Sequence, residues 1–340
     1  PILKVENLKT ELLIRRKPYA VVDDVSFDLY PGKTLAIVGE SGCGKTLTAL
    51  SLIRVLPEFL ALPPSGKVLY KGRNLLQSPE KEMQTIRGGK IAMIFQDPLS
   101  SLNPVYTIGN QLAEVAALHL NLYGEEAEAK SIEMLSHVGI SSPKNLLSCY
   151  PHQLSGGMRQ RVMIAQAVMS NPDILIADEP TTALDVTIQA QVIELLKRLQ
   201  KETGMAVLLI THDMGVVAEM ADQVVIMYAS KIAESGSVLD IFDRRSHPYT
   251  LGLFNSRPAS IMLKKEMLQP IKGVVPNLTH YPHGCRFHPR CPFAMEKCRG
   301  QQPPGFVLDE AKNHVSYCYL EDQTEESALK REEVLNATSS

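Results

Sequence analysis

No apolar run in this 340-residue chain approaches the ~18–20 residues that a bilayer-spanning helix needs, so any membrane role must pass through partners. Nor does the N-terminal stretch PILKVENLKTELLIRRK hold an apolar core followed by a small-residue cleavage site. It alternates charged with apolar residues, which predicts a cytosolic chain. A basic excess is missing too: 35 Lys and Arg stand against 37 Asp and Glu, a formal net charge of −2, which argues against a nucleic-acid partner. There is no internal repeat. Cysteines are few and none are tightly paired. Four of the six fall at 285, 291, 298 and 318, separated by five, six and nineteen residues, whereas structural zinc sites bring ligands in pairs two to four residues apart. In a reducing compartment this cluster points to metal binding more than to disulfides.

What is present is an ordinary globular composition, 44% hydrophobic and 21% charged, long enough for a core domain with a smaller one appended. Val25, Phe27 and Leu29 alternate as in a strand, and Pro31-Gly32 follows as a turn. Thr34–Val38 reads as a fully buried strand that runs into a glycine-rich turn and an apolar-patterned helix from Lys45 to Leu56. Between Pro104 and Tyr150 the pattern is helical, with stripes at Ile108, Leu112, Val115 and at Ile132, Leu135, Val138. From residue 155 helices alternate with strands at Ile174–Ala177 and Val207–Ile210, the order of a parallel α/β sheet. Beyond about residue 245 the texture changes to scattered prolines and the cysteine cluster. We therefore expect a domain over 1–245 with a helical insertion about 104–165, a C-terminal domain over 246–322, and a disordered tail over 323–340, rich in Glu, Ser and Thr.

Three motifs carry chemistry. Gly39-Glu-Ser-Gly-Cys-Gly-Lys-Thr46 fits G-x-x-x-x-G-K-[ST], and it sits between a strand and a helix, where a phosphate-binding loop belongs. Gly39, Ser41, Gly42, Cys43 and Gly44 would curl backbone N–H groups round phosphate oxygens, Lys45 would reach the β and γ phosphates, and Thr46 would give its hydroxyl to Mg²⁺. Asp173-Ile-Leu-Ile-Ala-Asp-Glu179 is a strand ending in two carboxylates. Asp178 is placed to hold Mg²⁺ and Glu179 to polarise an attacking water, although the same acids could simply cap the next helix. Leu154-Ser-Gly-Gly-Met158 opens a helix and again offers N–H and hydroxyl groups to an anion. One ATP has no use for two cradles from one chain, so Ser155, Gly156 and Gly157 are expected to close on the ATP held by a partner in a head-to-tail dimer.

With these motifs in this order, the chain resembles an ABC-type ATPase. The resemblance implies a P-loop NTPase fold of α/β class: a RecA-like parallel-sheet core, an N-terminal antiparallel β subdomain, a helical insertion and a small cysteine-rich C-terminal domain. It implies that Gln96 contacts Mg²⁺ and the membrane subunits, that Asp185, in Ala183-Leu-Asp185, lies at the dimer interface, and that His212 senses the γ-phosphate. Met158 stands where many members carry Gln. The aromatic that stacks on adenine usually lies nearer Leu12 and Leu13, so Tyr19 is the candidate only because it is the aromatic nearest that stretch.

The run Asp178-Glu-Pro-Thr-Thr-Ala-Leu-Asp-Val-Thr-Ile188, then His247-Pro-Tyr249, then Gly284-Cys-Arg-Phe-His-Pro-Arg-Cys-Pro292, is similar to the dipeptide and oligopeptide permease ATPases, in their D-type form. That resemblance implies a peripheral protein at the cytoplasmic face of the inner membrane, two permease subunits, a sister F-type ATPase and an extracytoplasmic peptide-binding protein. Nickel and other small-solute importers share these features. Some members of the family carry a [4Fe-4S] centre, which we favour for Cys285, Cys291, Cys298 and Cys318 over Zn²⁺ or free thiols, with His283 and His288 as possible replacements for a cysteine. A non-transport ABC ATPase is disfavoured because the chain has neither a second cassette nor a basic arm. A purely regulatory ATP binder is disfavoured because Glu179 and His212 are both present.

Overall fold

The structure is a computed structural model that describes residues 1–97, 101–182, 184–256, 271–309 and 313–339. It opens with a long hairpin, β1 (Leu3–Ile14) and β2 (Lys17–Leu29), turned by Arg15 and Arg16, both in the left-handed region. This hairpin joins β4 (Ser65–Tyr70) and β5 (Arg73–Asn74) in an antiparallel sheet of order β2-β1-β4-β5. Between these strands lie β3 (Thr34–Val38), buried at all five positions, and helix α1 (Lys45–Leu52), one turn shorter than its apolar pattern suggests.

The second sheet has eight strands in the order β11-β12-β10-β9-β3-β8-β7-β6. Its centre is parallel: β6 (Ile91–Ile94), β7 (Ile174–Asp178), β8 (Ala206–Thr211), β3 and β9 (Gln223–Tyr228) run the same way, and the interior strands are continuous apolar runs because both faces are covered. On one face packs a helical region, α2 (Ile108–Val115), α3 (Gly124–His137) and α4 (Gly156–Val168), followed in the chain by α5 (Val186–Thr203). On the other, the antiparallel sheet and α1 close a second core round Ile37, Leu52, Ile176 and Leu208. Helix α5 starts at Asp185, whose carboxylate accepts the Ile188 N–H at 2.9 Å, and ends at Gly204 with φ 71°. It buries Val192, Ile193, Leu195, Leu196 and Leu199.

After β9, a left-handed turn at Ala229 and Ser230 reverses the chain into the antiparallel strand β10 (Lys231–Ser237). Among the described residues, the chain beyond β10 packs on this same body. Helix α6 (Pro248–Asn255) packs near the sheet, and β11 (Phe306–Asp309) and β12 (His314–Ser316) extend it beyond β10. The tail differs from its expected disorder: Glu325–Ser339 forms helix α7. Side-chain anchors account for the difference. Lys297 binds Asp322, Thr324 and Ser327, and Arg331 pairs with Glu321 at 2.6 Å, so tertiary contacts hold a segment whose composition alone would not fold.

Candidate nucleotide site

The loop between β3 and α1 is built on glycines that nothing else could replace. Gly44, at φ 104°, caps α1, and a Cβ there would run into the Val21 carbonyl; at Gly39 it would run into the Met227 carbonyl. The backbone therefore threads between two strands before it opens toward solvent at Ser41 and Gly42, which are exposed. Lys45 is 6% exposed, and its Nζ donates to the carbonyls of Gly39 at 2.8 Å and Glu40 at 3.2 Å. It lies folded over its own loop. Cys43 is buried, and burial pushes its thiol above the usual range, as suits a space-filling residue.

At the carboxyl edge of β7, Asp178 is 1% exposed and bonded to Thr46, yet its Oδ1 has no hydrogen-bond partner. Burial, which outweighs that bond, pushes this carboxyl above its ordinary range. A buried acceptor left unsatisfied is rare in proteins, and here it belongs to the carboxylate that is also bonded to Thr46 of the phosphate loop. Glu179 follows with φ 47°, a left-handed backbone that a non-glycine residue adopts at a cost of about 1 kcal/mol. Its N–H donates to the Ile210 carbonyl at 2.8 Å, which turns the side chain out of the strand.

Three groups converge on the Glu179 carboxylate. Thr182 donates at 2.7 Å, Gln96 at 3.3 Å, and the His212 Nδ1 stands 3.2 Å away. Burial raises the Glu179 pKa, but the bonds to Thr182 and His212 and the nearby charges outweigh it and hold the carboxyl below its ordinary value. It is ionised at neutral pH and can accept a proton. Thr182 was not singled out in the sequence, although it follows Glu179 by three residues, the spacing at which a turn returns a hydroxyl to the carboxylate.

The other expected residues lie apart from this centre. Ser155 caps α4 by accepting the Met158 N–H at 3.3 Å, and Ser155 and Gly156 are exposed. A Cβ on Gly157 would press on Ile188, so the signature loop packs against the start of α5, where Asp185 sits. Ala183 lies outside the described residues. Among the described residues no hydrogen bond joins this loop to Gly39–Thr46. Met158 packs against the helical core rather than reaching outward. Tyr19 is half-buried and faces Leu12 directly across the β1–β2 hairpin.

Cys285, Cys291, Cys298 and Cys318 are free thiols that line one apolar pocket with His247 and Phe287. Burial pushes Cys285 up to about 11 and Cys291 up to about 12, and it raises Cys298 and Cys318 as well. Among the described residues no three His, Cys, Asp or Glu side chains stand close enough to hold one metal ion, so the expected zinc or cluster geometry is not formed here. His288 bonds the Cys285 carbonyl through Nδ1 at 3.0 Å. No helix among the described residues is long and apolar enough to cross a membrane.

Comparison with known proteins meets this geometry from outside. The sequence model of the ABC transporter family matches residues 22–182, and that of the oligopeptide/dipeptide transporter C-terminal region matches residues 233–298. The chain is similar to the dipeptide transport ATP-binding protein DppD of Bacillus subtilis, 48% identical over 96% of this chain and 97% of the relative. It is also similar to the oligopeptide transport ATP-binding protein AppD of the same organism, 45% identical over 96% of this chain and 99% of that one. Among solved structures, the dimeric post-hydrolysis state of the ATP-binding cassette MJ0796, bound to ADP and Pi, superposes with a TM-score of 0.61 at 25% identity, covering 69% of this chain and 98% of that one. With the phosphate loop, the paired carboxylates and the signature helix in place on this sheet, the chain belongs to the ABC transporter family, as one of its ATP-binding, ATP-hydrolysing subunits.

Proposed function

We propose that this chain hydrolyses ATP to power the import of dipeptides or oligopeptides through a membrane transporter. The observation that carries the hydrolytic part is the convergence of Gln96, Thr182 and His212 on an ionised Glu179, next to the unpartnered Asp178 oxygen. The peptide part is supported by likeness to relatives named for dipeptide and oligopeptide transport over nearly the whole chain.

In this reading the N–H groups of Gly39–Thr46 take the phosphate oxygens and Lys45 leaves its loop carbonyls for the β and γ phosphates. The residues fit Mg²⁺: a buried carboxylate bonded to Thr46 keeps one oxygen without a partner, so Thr46, Asp178 and Gln96 would hold it. Held there, it would supply charge neutralisation to the bound nucleotide's phosphates. Glu179 orients the attacking water and takes its proton, while His212, 64% exposed, is free to meet the γ-phosphate. Tyr19 stacks on adenine from the hairpin.

Ser155, Gly156 and Gly157 close on the ATP of a second ATPase, the sister F-type subunit, in a head-to-tail heterodimer with Asp185 at the interface. Gln96 lies exposed at the end of β6 and passes the closing movement to two permease subunits. These receive peptide from an extracytoplasmic binding protein, and the chain lies peripherally on the cytoplasmic face of the inner membrane.

A [4Fe-4S] cluster on Cys285, Cys291, Cys298 and Cys318 is part of this proposal, and the side chains would have to draw together round it, since among the described residues they do not stand close enough to hold one metal ion. Four cysteine thiols are its usual donor set, and they line one pocket here beside His247 and His288.

Glu179→Gln tests the hydrolytic reading. ATP binding should persist while turnover falls by about 10²-fold or more. Turnover at the wild-type rate would overturn the assignment.

A further inference from the structure

The phosphate loop is braced from behind by residues more than 200 positions away. The Glu40 carboxylate takes both terminal nitrogens of Arg290, at 2.6 and 3.1 Å, and the Glu40 N–H donates to the Tyr249 hydroxyl at 2.9 Å. Both braces are themselves fixed. The Arg290 side chain is 6% exposed, its Nε donates to the Lys272 carbonyl at 3.1 Å, and its guanidinium lies over the Tyr228 ring. Tyr249 is fully buried and packs at a tilt against the rings of Tyr228 and Phe287. His247 caps this helix by accepting the Tyr249 N–H, which aims the tyrosine at the loop.

A second brace reaches the far side of the same loop. Ser230, in the left-handed turn after β9, donates its N–H to the Cys43 carbonyl at 3.0 Å. That turn is held by the Tyr281 hydroxyl, 2.8 Å from Ser230 Oγ, and by Arg286, which donates to the Ala229 carbonyl at 2.5 Å. Arg286 directly follows Cys285, and Arg290 directly precedes Cys291. The stretch of chain that presents two of the pocket cysteines thus holds the phosphate loop at Glu40 through Arg290 and, through Arg286, the turn that bonds Cys43.

We propose that Tyr249 and Arg290 are positioning residues for nucleotide binding, and that through them the segment bearing Cys285 and Cys291 sets how well Gly39–Thr46 receives phosphate. Neither side chain meets the phosphates. Together they fix the amide and the carboxylate of one residue, so the peptide that follows Gly39 cannot rotate. The cradle's N–H groups keep a common direction only while that first peptide is held. A bidentate guanidinium fixes an angle as well as a distance, which an ammonium does not. The proposal rests on Gly39–Thr46 being the phosphate cradle.

The test is equilibrium binding of a fluorescent ATP analogue with Mg²⁺ to the full-length chain, together with ATP turnover at saturating nucleotide. Arg290→Gln and Glu40→Gln should each weaken binding about tenfold, and the double variant should lose no more than either, because the two act as one contact. Tyr249→Phe, which keeps the packing, should weaken binding with little change in saturated turnover, and Arg290→Lys should fall between wild type and Arg290→Gln. Arg331→Gln, which breaks an ion pair elsewhere in the C-terminal region, should bind as wild type does. Wild-type affinity in folded Arg290→Lys and Tyr249→Phe, or additive losses in the double variant, would overturn the positioning role. Failure of the wild-type chain to bind, or unimpaired binding by Lys45→Ala, would instead remove the cradle on which it rests.

Discussion

At the scale of single residues, the site is governed by which groups have partners and which do not. On the proposed mechanism Glu179 must be ionised to take a proton, so turnover is expected to fall as pH drops through its pKa. Thr182 is one of the groups that hold that pKa down. In Thr182→Val the carboxyl should titrate at higher pH, and the acid limb of the pH–rate profile should move upward; an unmoved limb would mean that Thr182 only fills space. Lys45 shows the opposite condition, because its ammonium already has two carbonyl acceptors. Nucleotide entry is an exchange of hydrogen bonds for this residue, and only the difference between the two sets reaches the affinity. The placement of Gly39–Thr46 between a strand and a helix, and of Asp178-Glu179 at a strand end, was legible in the sequence because each is contiguous and set by local backbone shape. The unpartnered Asp178 oxygen was not legible, because it depends on what fails to pack nearby.

Among elements, the ends matter more than the middles. Helix α5 is expected to lose about 1 kcal/mol in Asp185→Ala, read as a lowered melting temperature, since the Ile188 N–H would lose its acceptor. Strand β2 is tied to the later chain by Asp23, which is paired with Lys231 at 3.1 Å and with Arg286. Burial of Asp23 opposes ionisation, but those two cations outweigh it and hold the folded pKa below its ordinary value. A depressed carboxylate stabilises above its unfolded pKa, near 3.9, and that stability is lost as pH falls through the folded value. Asp23→Asn should therefore lower the melting temperature at pH 7 and leave it nearly unchanged near pH 2, the loss at pH 7 being on the order of 1 kcal/mol because the pair is partly solvated. A loss of equal size at both pH values would place the effect in packing. Sequence reading found the long elements through their apolar stripes and missed the short ones. Strands β11 and β12 have four and three residues, too few for a period, and helix α7 was read as disorder because composition says nothing of the anchors from Lys297 and Glu321.

Over the whole molecule, the C-terminal region is a continuation of the catalytic body. Its strands extend the main sheet, Arg290 grips the Gly39–Thr46 loop and Arg286 the turn after β9, and its cysteines line one pocket. The pairing of Arg290 with Glu40 spans 250 residues, and no motif or spacing could have announced it. Purified without oxygen, the chain should show broad visible absorption and about four irons, both lost in Cys318→Ser. One equivalent of zinc in a colourless protein would replace the cluster with a zinc site. Finally, an eight-stranded sheet must end somewhere, and here it ends in β11 at one side and β6 at the other, each only four residues long. Short terminal strands offer a neighbouring molecule few free ladder groups, so this sheet is a poor template for edge-to-edge stacking.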